Sequence, residues 1–391
     1  MQLDRDDEKI LAGEQGETKQ KMLELLVALG KVFGAERLVP IKSAQVSGAS
    51  YKTIGKYGLE WLNSLDAKAV VPAVLNPIGM PRTRWQEMGV DAVFAKNQEA
   101  VVAAYARLGI ALECTCTPYY LRETSYGDHL AWSESSAVSY SNSVIGARTN
   151  REGGPGALAA ALVGKTPCYG LHLGKNRKPH VVIDVRGATR DWTVADYGAL
   201  GYHAGKLVGN RIPYFTGIRP ERDQLKALGA AMAATGAVAL YHVGDITPEA
   251  QKIRFDVKGL EKIPVERNEI AAIFKKFPVE AVALGCPHCS PEELGTLARL
   301  LAGKRVTKPL YVFASQGVID ANRNAVDTIE KSGAKVYADT CMVVSPVMEQ
   351  YAGIMVNSGK ALAYVPDMCG GVARIGTTEE CVRVATVQAG Q

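Results

Sequence analysis

The chain opens on a helical repeat. Between Thr18 and Gly34, Met22, Leu25, Leu26 and Leu29 recur at i, i+3, i+4 and i+7, the spacing of one buried helix face. KSAQVSGASYKTIG (Lys42–Gly55) follows; it is rich in small polar residues and reads as a loop. The period then shortens. AVVPAVLNP (Ala69–Pro77) and VDAVFA (Val90–Ala95) read as strands, and Gln98–Leu108 as a helix with Val101, Val102, Tyr105 and Leu108 on one face. GIALECTC (Gly109–Cys116) is a further strand, stopped at Pro118. The same grammar returns late in the chain. VEAVALG (Val279–Gly285), PLYVFAS (Pro309–Ser315) and GAKVYADTC (Gly333–Cys341) are strands. The helix after the first of these turns Leu294, Leu297, Ala298 and Leu301 to one side, and the next helix runs to Lys331.

Strands alternating with helices predict parallel pairing and right-handed crossovers. The expected class is α/β, with multiple lobes of mostly parallel sheets flanked by helices around a central cleft. The pattern divides into an N-terminal helical and loop segment (1–65), a first α/β lobe (66–220) and a second (221–391), the two lobes related and facing each other. The border near 220 rests on Arg219-Pro220. Before it lies a less regular stretch: SNSVIGARTNREGGPG (Ser141–Gly156), an apolar helix (Ala157–Val163) and a strand (Val181–Val185). A helix over Asp223–Ala234 and a strand over Val238–Val243 open the second lobe.

Composition narrows the function. With 391 residues, 47% of them hydrophobic, the chain can bury a large core. The net charge of +5 comes from dispersed Lys and Arg, which argues against a nucleic-acid surface and suits an anionic small-molecule substrate. The N-terminus MQLDRDDEKI is acidic, with no apolar core of a leader, and runs such as Ala69–Leu75 are too short for a bilayer. A cytoplasmic chain without a membrane span is expected. Eight cysteines there point to metal, catalysis or buried thiols rather than disulfides.

Cysteine placement carries the chemistry. Cys116, Cys286 and Cys341 each fall just past the end of a predicted strand, the edge at which open parallel sheets gather active sites. Three thiolates there can hold a metal or iron–sulfur cluster and leave a coordination position open, as catalytic centres do. In GCPHCSPEE, Ser290, Pro291 and Glu293 form a helix-start signature, so Cys286 lies near a helix N-terminus, where a lowered thiol pKa is expected. Cys286 and Cys289 form a CxxC, but a structural zinc site needs a matching pair, and Cys114–Cys116 has the wrong spacing. Cys114 is the lesser ligand candidate on its strand, while Cys168, Cys369 and Cys381 read as core thiols. A fourth ligand from Cys289 would make the site a scaffold or electron carrier. A mononuclear iron site is a further alternative.

Other residues offer polar contacts. Asn142, Ser143, Arg148 and Thr149 provide hydrogen-bonding groups in the irregular loop, and the following helix N-terminus could receive an anion. Gly154, Gly156 and Ala159 fit GxGxxA without a preceding strand, and GKT at Gly164–Thr166 lacks the glycine a phosphate loop needs. Gly48, Ala49 and Ser50 allow close approach of a ligand to the backbone. Lys52 and Lys360 can pair with carboxylate or phosphate, and His288 can orient a leaving hydroxyl.

The motifs SAQVSGASYKTIG, LNPIGM, TCTPYY, SNSVIGART, GCPH, DTC and NSGKA together resemble the aconitase X family across nearly the whole chain. The resemblance implies a hydro-lyase, with a [4Fe–4S] cluster held by Cys116, Cys286 and Cys341 and one iron left open. Asn76 and Pro77, in LNPIGM, join Gly48, Ala49, Ser50, Asn142, Ser143, Arg148 and Lys360 as implied substrate contacts. Within the family, the archaeal branch of the modified mevalonate pathway dehydrates (R)-5-phosphomevalonate to trans-anhydromevalonate 5-phosphate. Another branch dehydrates cis-3-hydroxy-L-proline. The resemblance also implies a heteromer, in which a smaller swivelling-domain subunit closes over the site and supplies the catalytic base.

Overall fold

The computed structural model describes residues 1–121 and 123–386. The first part of the chain supplies β1 (Leu38–Pro40), β2 (Ala44–Val46), β3 (Ala73–Leu75), β4 (Ala111–Cys114), β5 (Ala131–Trp132) and β6 (Lys165–Pro167). Strands β4-β3-β2-β5 make a parallel sheet, and β1 and β6 form an antiparallel pair beside it. The middle supplies β7 (Val181–Arg186), β8 (Pro213–Thr216), β9 (His242–Val243) and β10 (Glu261–Glu266), a parallel sheet ordered β10-β7-β8-β9. The last part supplies β11 (Ala281–Leu284), β12 (Leu310–Ala314), β13 (Lys335–Ala338), β14 (Gly353–Val356) and β15 (Val372–Ile375), parallel in the order β13-β12-β11-β14-β15. Strands β3, β11 and β14 are buried at every position, as parallel strands covered on both faces require. The helix Pro291–Leu301 presses Leu294, Leu297 and Leu301 into the core of the last sheet, beside Val282, Leu284 and Val312.

The α/β class and the mostly parallel sheets are as the pattern predicts. The expected pair of lobes is a set of three parallel sheets instead. Residue 220 falls between β8 and β9, two strands of the middle sheet. Val90–Ala95 is not a strand. Asp91 accepts the backbone N–H of Val93 at 2.8 Å and of Phe94 at 3.1 Å and starts the helix Ala92–Arg107. A side-chain cap of this kind outweighs six residues of apolar alternation. The expected loop Lys42–Gly55 contains β2, a fully buried inner strand, and the start of the helix Tyr51–Ser64, broken at Gly55.

The first and last sheets are joined at their carboxyl edges. Beyond β3, Ile78 bridges to Thr340 beyond β13. The Ile78 N–H donates to the Asp339 carbonyl at 2.8 Å, and the Cys341 N–H donates to the Ile78 carbonyl at 2.9 Å. Asp339 adopts φ 62°, a left-handed conformation that aspartate tolerates better than most residues. Its carboxylate accepts from the Cys114 N–H at 3.3 Å and from Arg82 Nε at 2.8 Å, closing the gap between the ends of β4 and β13. No helix among the described residues is long and apolar enough to cross a membrane.

Candidate active site

Where these two edges meet, Cys116, Cys286 and Cys341 line one cavity of about 330 Å³. Each cysteine is delivered by a strand end. Between β11 and Cys286 stands Gly285 at φ 97°, where a Cβ would lie 2.1 Å from the Phe313 carbonyl oxygen on β12. Glycine is required for the chain to turn there. The Cys286–Pro287 peptide is cis. Ser290 and Glu293 form the capping box at the head of the helix Pro291–Leu301, with Ser290 Oγ accepting from the Glu293 N–H at 3.0 Å and Glu293 Oε2 accepting from the Ser290 N–H at 2.8 Å.

His288 ties the three cysteine loops together. Its backbone N–H donates to Cys116 Sγ at 3.1 Å. Ring Nε2 lies 2.8 Å from the Thr340 carbonyl and Nδ1 lies 3.1 Å from Thr115 Oγ1. A carbonyl accepts only, so Nε2 carries the proton and Nδ1 accepts from the threonine hydroxyl. Burial holds the imidazole down to about 4, so it is neutral. The buried Lys226 donates to the His288 carbonyl at 3.3 Å from the far side and also binds Glu293.

Opposite the sulfurs lies a buried ion pair. Lys360 sits in the first turn of the helix Gly359–Cys369 and donates to Glu134 Oε1 and, at 3.2 Å, to Ser136 Oγ. Gly359 sets its position, because a Cβ there would lie 2.0 Å from the Gly198 carbonyl oxygen. Ser358 caps the helix and donates its hydroxyl to the Cys286 carbonyl. Glu134 Oε2 accepts from Asn76 Nδ2 at 2.8 Å. Burial alone raises the Glu134 pKa, but the Lys360 ammonium and the Asn76 amide override it and hold the carboxyl at about 2. The buried Gln45 on β2 links the two sides: Nε2 donates to the Thr115 carbonyl at 2.7 Å and Oε1 accepts from the Glu134 N–H at 3.3 Å.

A second acid faces the same cavity. Glu152 is buried, accepts from Thr166 Oγ1 at 3.3 Å, and is pushed by burial to about 7. It shares its proton between bound and free states near neutrality, a condition suited to acid–base work.

The three sulfurs share one electrostatic setting. Burial pushes the Cys116 thiol up to about 12 and raises Cys286 and Cys341 as well, with Lys360 pulling each back down. The lowering expected for Cys286 from its helix terminus is overridden by burial. A metal centre replaces those protons with its own charge. Among the described residues, no three His, Cys, Asp or Glu side chains stand close enough together to grip one metal ion.

The remaining candidates divide. Asn76, Pro77 and Lys360 line the cavity. Asn142, Ser143, Arg148, Gly48, Ala49 and Ser50 are not on its wall. Asn142 Oδ1 accepts from Arg177 Nη1 at 3.0 Å and from the Thr149 N–H at 3.1 Å; Ser143 Oγ accepts from the Tyr241 N–H at 2.9 Å; Arg148 Nη1 donates to the His172 carbonyl at 3.1 Å. These three brace the irregular loop around the buried Arg177. Gly48 lines a separate groove beside Trp61, the Ala49 carbonyl accepts from Gln98 Nε2 at 2.7 Å, and Ser50 precedes the helix Tyr51–Ser64. Lys52 is engaged by Glu349 at 2.6 Å. Cys289 points into the core of the last sheet beside Leu294 and Leu297, and Cys114 is buried in the first core next to Asp339. Cys369 and Cys381 are core thiols, and Cys168 is buried. Glu134, Glu152, Asp339 and Gln45 escaped the sequence reading, as did Arg151, which also lines the cavity. A signal existed for Glu134, the one charged side chain between Asp128 and Arg148.

Comparison with known proteins shows the family. Residues 1–175 match the aconitase X first domain, 179–275 the second domain and 279–387 the third. The phosphomevalonate dehydratase large subunit of Methanosarcina mazei is 54% identical over 99% of this chain and 97% of its own. The cis-3-hydroxy-L-proline dehydratase of Pseudomonas aeruginosa is 33% identical over 98% of this chain but 70% of its own. The crystal structure of Thermococcus kodakaraensis aconitase X in its holo-form superposes with a TM-score of 0.90 at 45% identity, covering 98% of this chain and 100% of that one. The chain belongs to the aconitase X family.

Proposed function

We propose that this chain is the large, catalytic subunit of a phosphomevalonate dehydratase, a hydro-lyase that converts (R)-5-phosphomevalonate to trans-anhydromevalonate 5-phosphate and water. The observation that carries the reading is the convergence of three strand-end cysteines and the Lys360–Glu134 pair on one cavity. Its likeness along nearly its full length to a protein of that name supports the substrate. The family implies an iron–sulfur cluster; we assign its ligands to Cys116, Cys286 and Cys341 and read it as [4Fe–4S] with one iron open. When bound, such a cluster supplies a Lewis acid for the substrate carboxylate and departing hydroxyl, with no redox change.

The chain's own residues do the rest. Lys360, desolvated and held by Glu134, is placed to pair with the substrate carboxylate. Lys360 and, to a smaller degree, Asn76 keep Glu134 ionised, and the Glu134 carboxylate in turn keeps Lys360 charged. Glu152 holds a proton on its carboxyl near neutral pH and gives it to the leaving hydroxyl. The base that removes the proton α to the carboxylate comes from a smaller swivelling-domain subunit that closes over the cavity, a heteromer consistent with the name large subunit carried by the relative.

The test is anaerobic reconstitution of both subunits with iron and sulfide, followed by metal and sulfide counts and a dehydration assay. Phosphomevalonate is turned over and cis-3-hydroxy-L-proline is not. Serine at Cys116, Cys286 or Cys341 abolishes the cluster absorbance, whereas Cys289→Ser retains it. A fully loaded complex that leaves phosphomevalonate unchanged refutes the assignment.

A further inference from the structure

We infer that Lys226 is a positioning residue for the reaction, whose ammonium fixes the chain just past Cys286 from outside the cavity. The inference rests on the proposed assignment of Cys286 as a cluster ligand and goes beyond it by giving the second domain a part in the site. Among the described residues, none of 179–275 lines the reaction cavity. The helix Arg222–Gly236 of that domain nevertheless touches three of the segments that build it. Tyr120, beyond Cys116, donates its hydroxyl to Asp223 Oδ1 at 3.2 Å. Ser290, beyond Cys286, donates its own to Asp223 Oδ2 at 2.7 Å. Ala231 stands behind Gly359, where a Cβ would lie 2.9 Å from the alanine methyl, so the helix also backs the turn that carries Lys360.

Lys226 makes the contact that bears on the sulfurs. The peptide groups around His288 are held from three directions. The His288 N–H donates to Cys116 Sγ at 3.1 Å, toward the first domain. The Cys289 N–H donates to the Phe313 carbonyl at 2.9 Å, within the last sheet. The His288 carbonyl accepts from Lys226 Nζ at 3.3 Å, from the second domain. The same ammonium binds Glu293 and lies 3.6 Å from Asp223 Oδ1. Burial opposes its charge, but the attraction of its neighbours, chiefly the Glu293 carboxylate, holds its pKa well above the ordinary value. A charged donor bonds a carbonyl more strongly than a neutral one, and at this buried position water does not compete. The bond keeps the His288 backbone in the orientation that aims its N–H at Cys116. Hydrogen bonds to ligating sulfurs, and the groups that aim them, tune a centre's potential and its grip on metal. An uncharged side chain of the same bulk would fill the space without supplying this bond.

The experiment compares Lys226→Met with the double variant Lys226→Met/Glu293→Gln in the assembled complex of both subunits. The single variant strips Glu293 of its cation and is expected to melt at a lower temperature. The double variant removes that charge as well; it should regain most of the melting temperature while still lacking the donor to the His288 carbonyl. From its loaded complex a chelator should take iron roughly tenfold faster than from the wild type, and the reduction potential should move to a more negative value. In the cluster-free chain, the His288 amide of the double variant should exchange its hydrogen about tenfold faster, the size of one charge-assisted hydrogen bond, with the amides of β12 unchanged. A double variant that has regained its melting temperature and shows wild-type iron retention, potential and exchange overturns the inference and leaves Lys226 a counter-ion to Glu293. A double variant that does not fold overturns it too, because the ammonium then serves the fold. A wild-type complex that holds its cluster but leaves phosphomevalonate unchanged, with the difference in iron retention present, refutes the substrate and leaves the positioning role standing.

Discussion

The backbone N–H of His288 meets Cys116 Sγ at 3.1 Å, across 172 residues of chain. That contact shows how the site is held. One neutral imidazole reaches Thr115 beside the first cysteine and Thr340 beside the third, and its own loop carries the second. Replacing it with leucine keeps the bulk and removes both ring contacts, leaving the Thr340 carbonyl without its partner. We expect a stability loss of roughly 1–3 kcal/mol for each orphaned buried group and a ten- to hundredfold weaker hold on iron. Chelator competition followed by iron analysis, alongside thermal unfolding, measures both. Full iron retention in His288→Leu would reduce the imidazole to packing.

The Lys360–Glu134 pair predicts an asymmetry between single and double variants. Lys360→Met leaves a carboxylate buried and unpaired, at a cost of about 3–5 kcal/mol. Adding Glu134→Gln removes that charge and should restore much of the stability but none of the activity. The pair also sets an acid limit. Glu134 titrates at about 2 in the folded chain against an ordinary 4.5, so its contribution is full above 4.5 and is lost as pH falls through about 2. Denaturation followed across that window should show a shallower acid limb in Glu134→Gln.

Glu152 gives a prediction of opposite sign. Its carboxyl is raised from 4.5 to about 7, so the folded state binds this proton more tightly than the unfolded one. The resulting stabilisation is complete below 4.5 and is lost as pH rises through about 7. As a proton donor it is active when protonated, so kcat should fall above about pH 7. In Glu152→Gln that limb disappears and kcat drops on the order of 10²–10⁴-fold. A pH profile unaltered by the substitution places the donor elsewhere.

The cysteines could be found in the sequence because their strands are bounded by strong local signals. A Gly and a capping box follow β11, and Pro118 stops the chain after β4. Those cues act over a few residues. The failures are of two kinds. Val90–Ala95 alternates like a strand, but Asp91 caps a helix, and the cap is decided by two backbone hydrogen bonds. Strand β2 is three residues long with Gln45 at its centre, too short and too polar to show a period. The polar residues around the cavity were hidden for another reason. Asp339 works by closing on Arg82 and Cys114, and Glu134 by meeting Lys360, partners hundreds of positions away. Asn142 and Arg148 resembled ligand-binding residues because a loop that wraps a buried Arg177 needs the same donors and acceptors as one that wraps a substrate.

The bridge from Ile78 to Thr340 has a consequence for biogenesis. The sulfur delivered by β4 leaves the ribosome long before those delivered by β11 and β13, and the ammonium that steadies them emerges later still. Until then Cys116 has neither of its companions. The cavity the three share is therefore a property of the finished polypeptide, closed only when Lys360 has met Glu134.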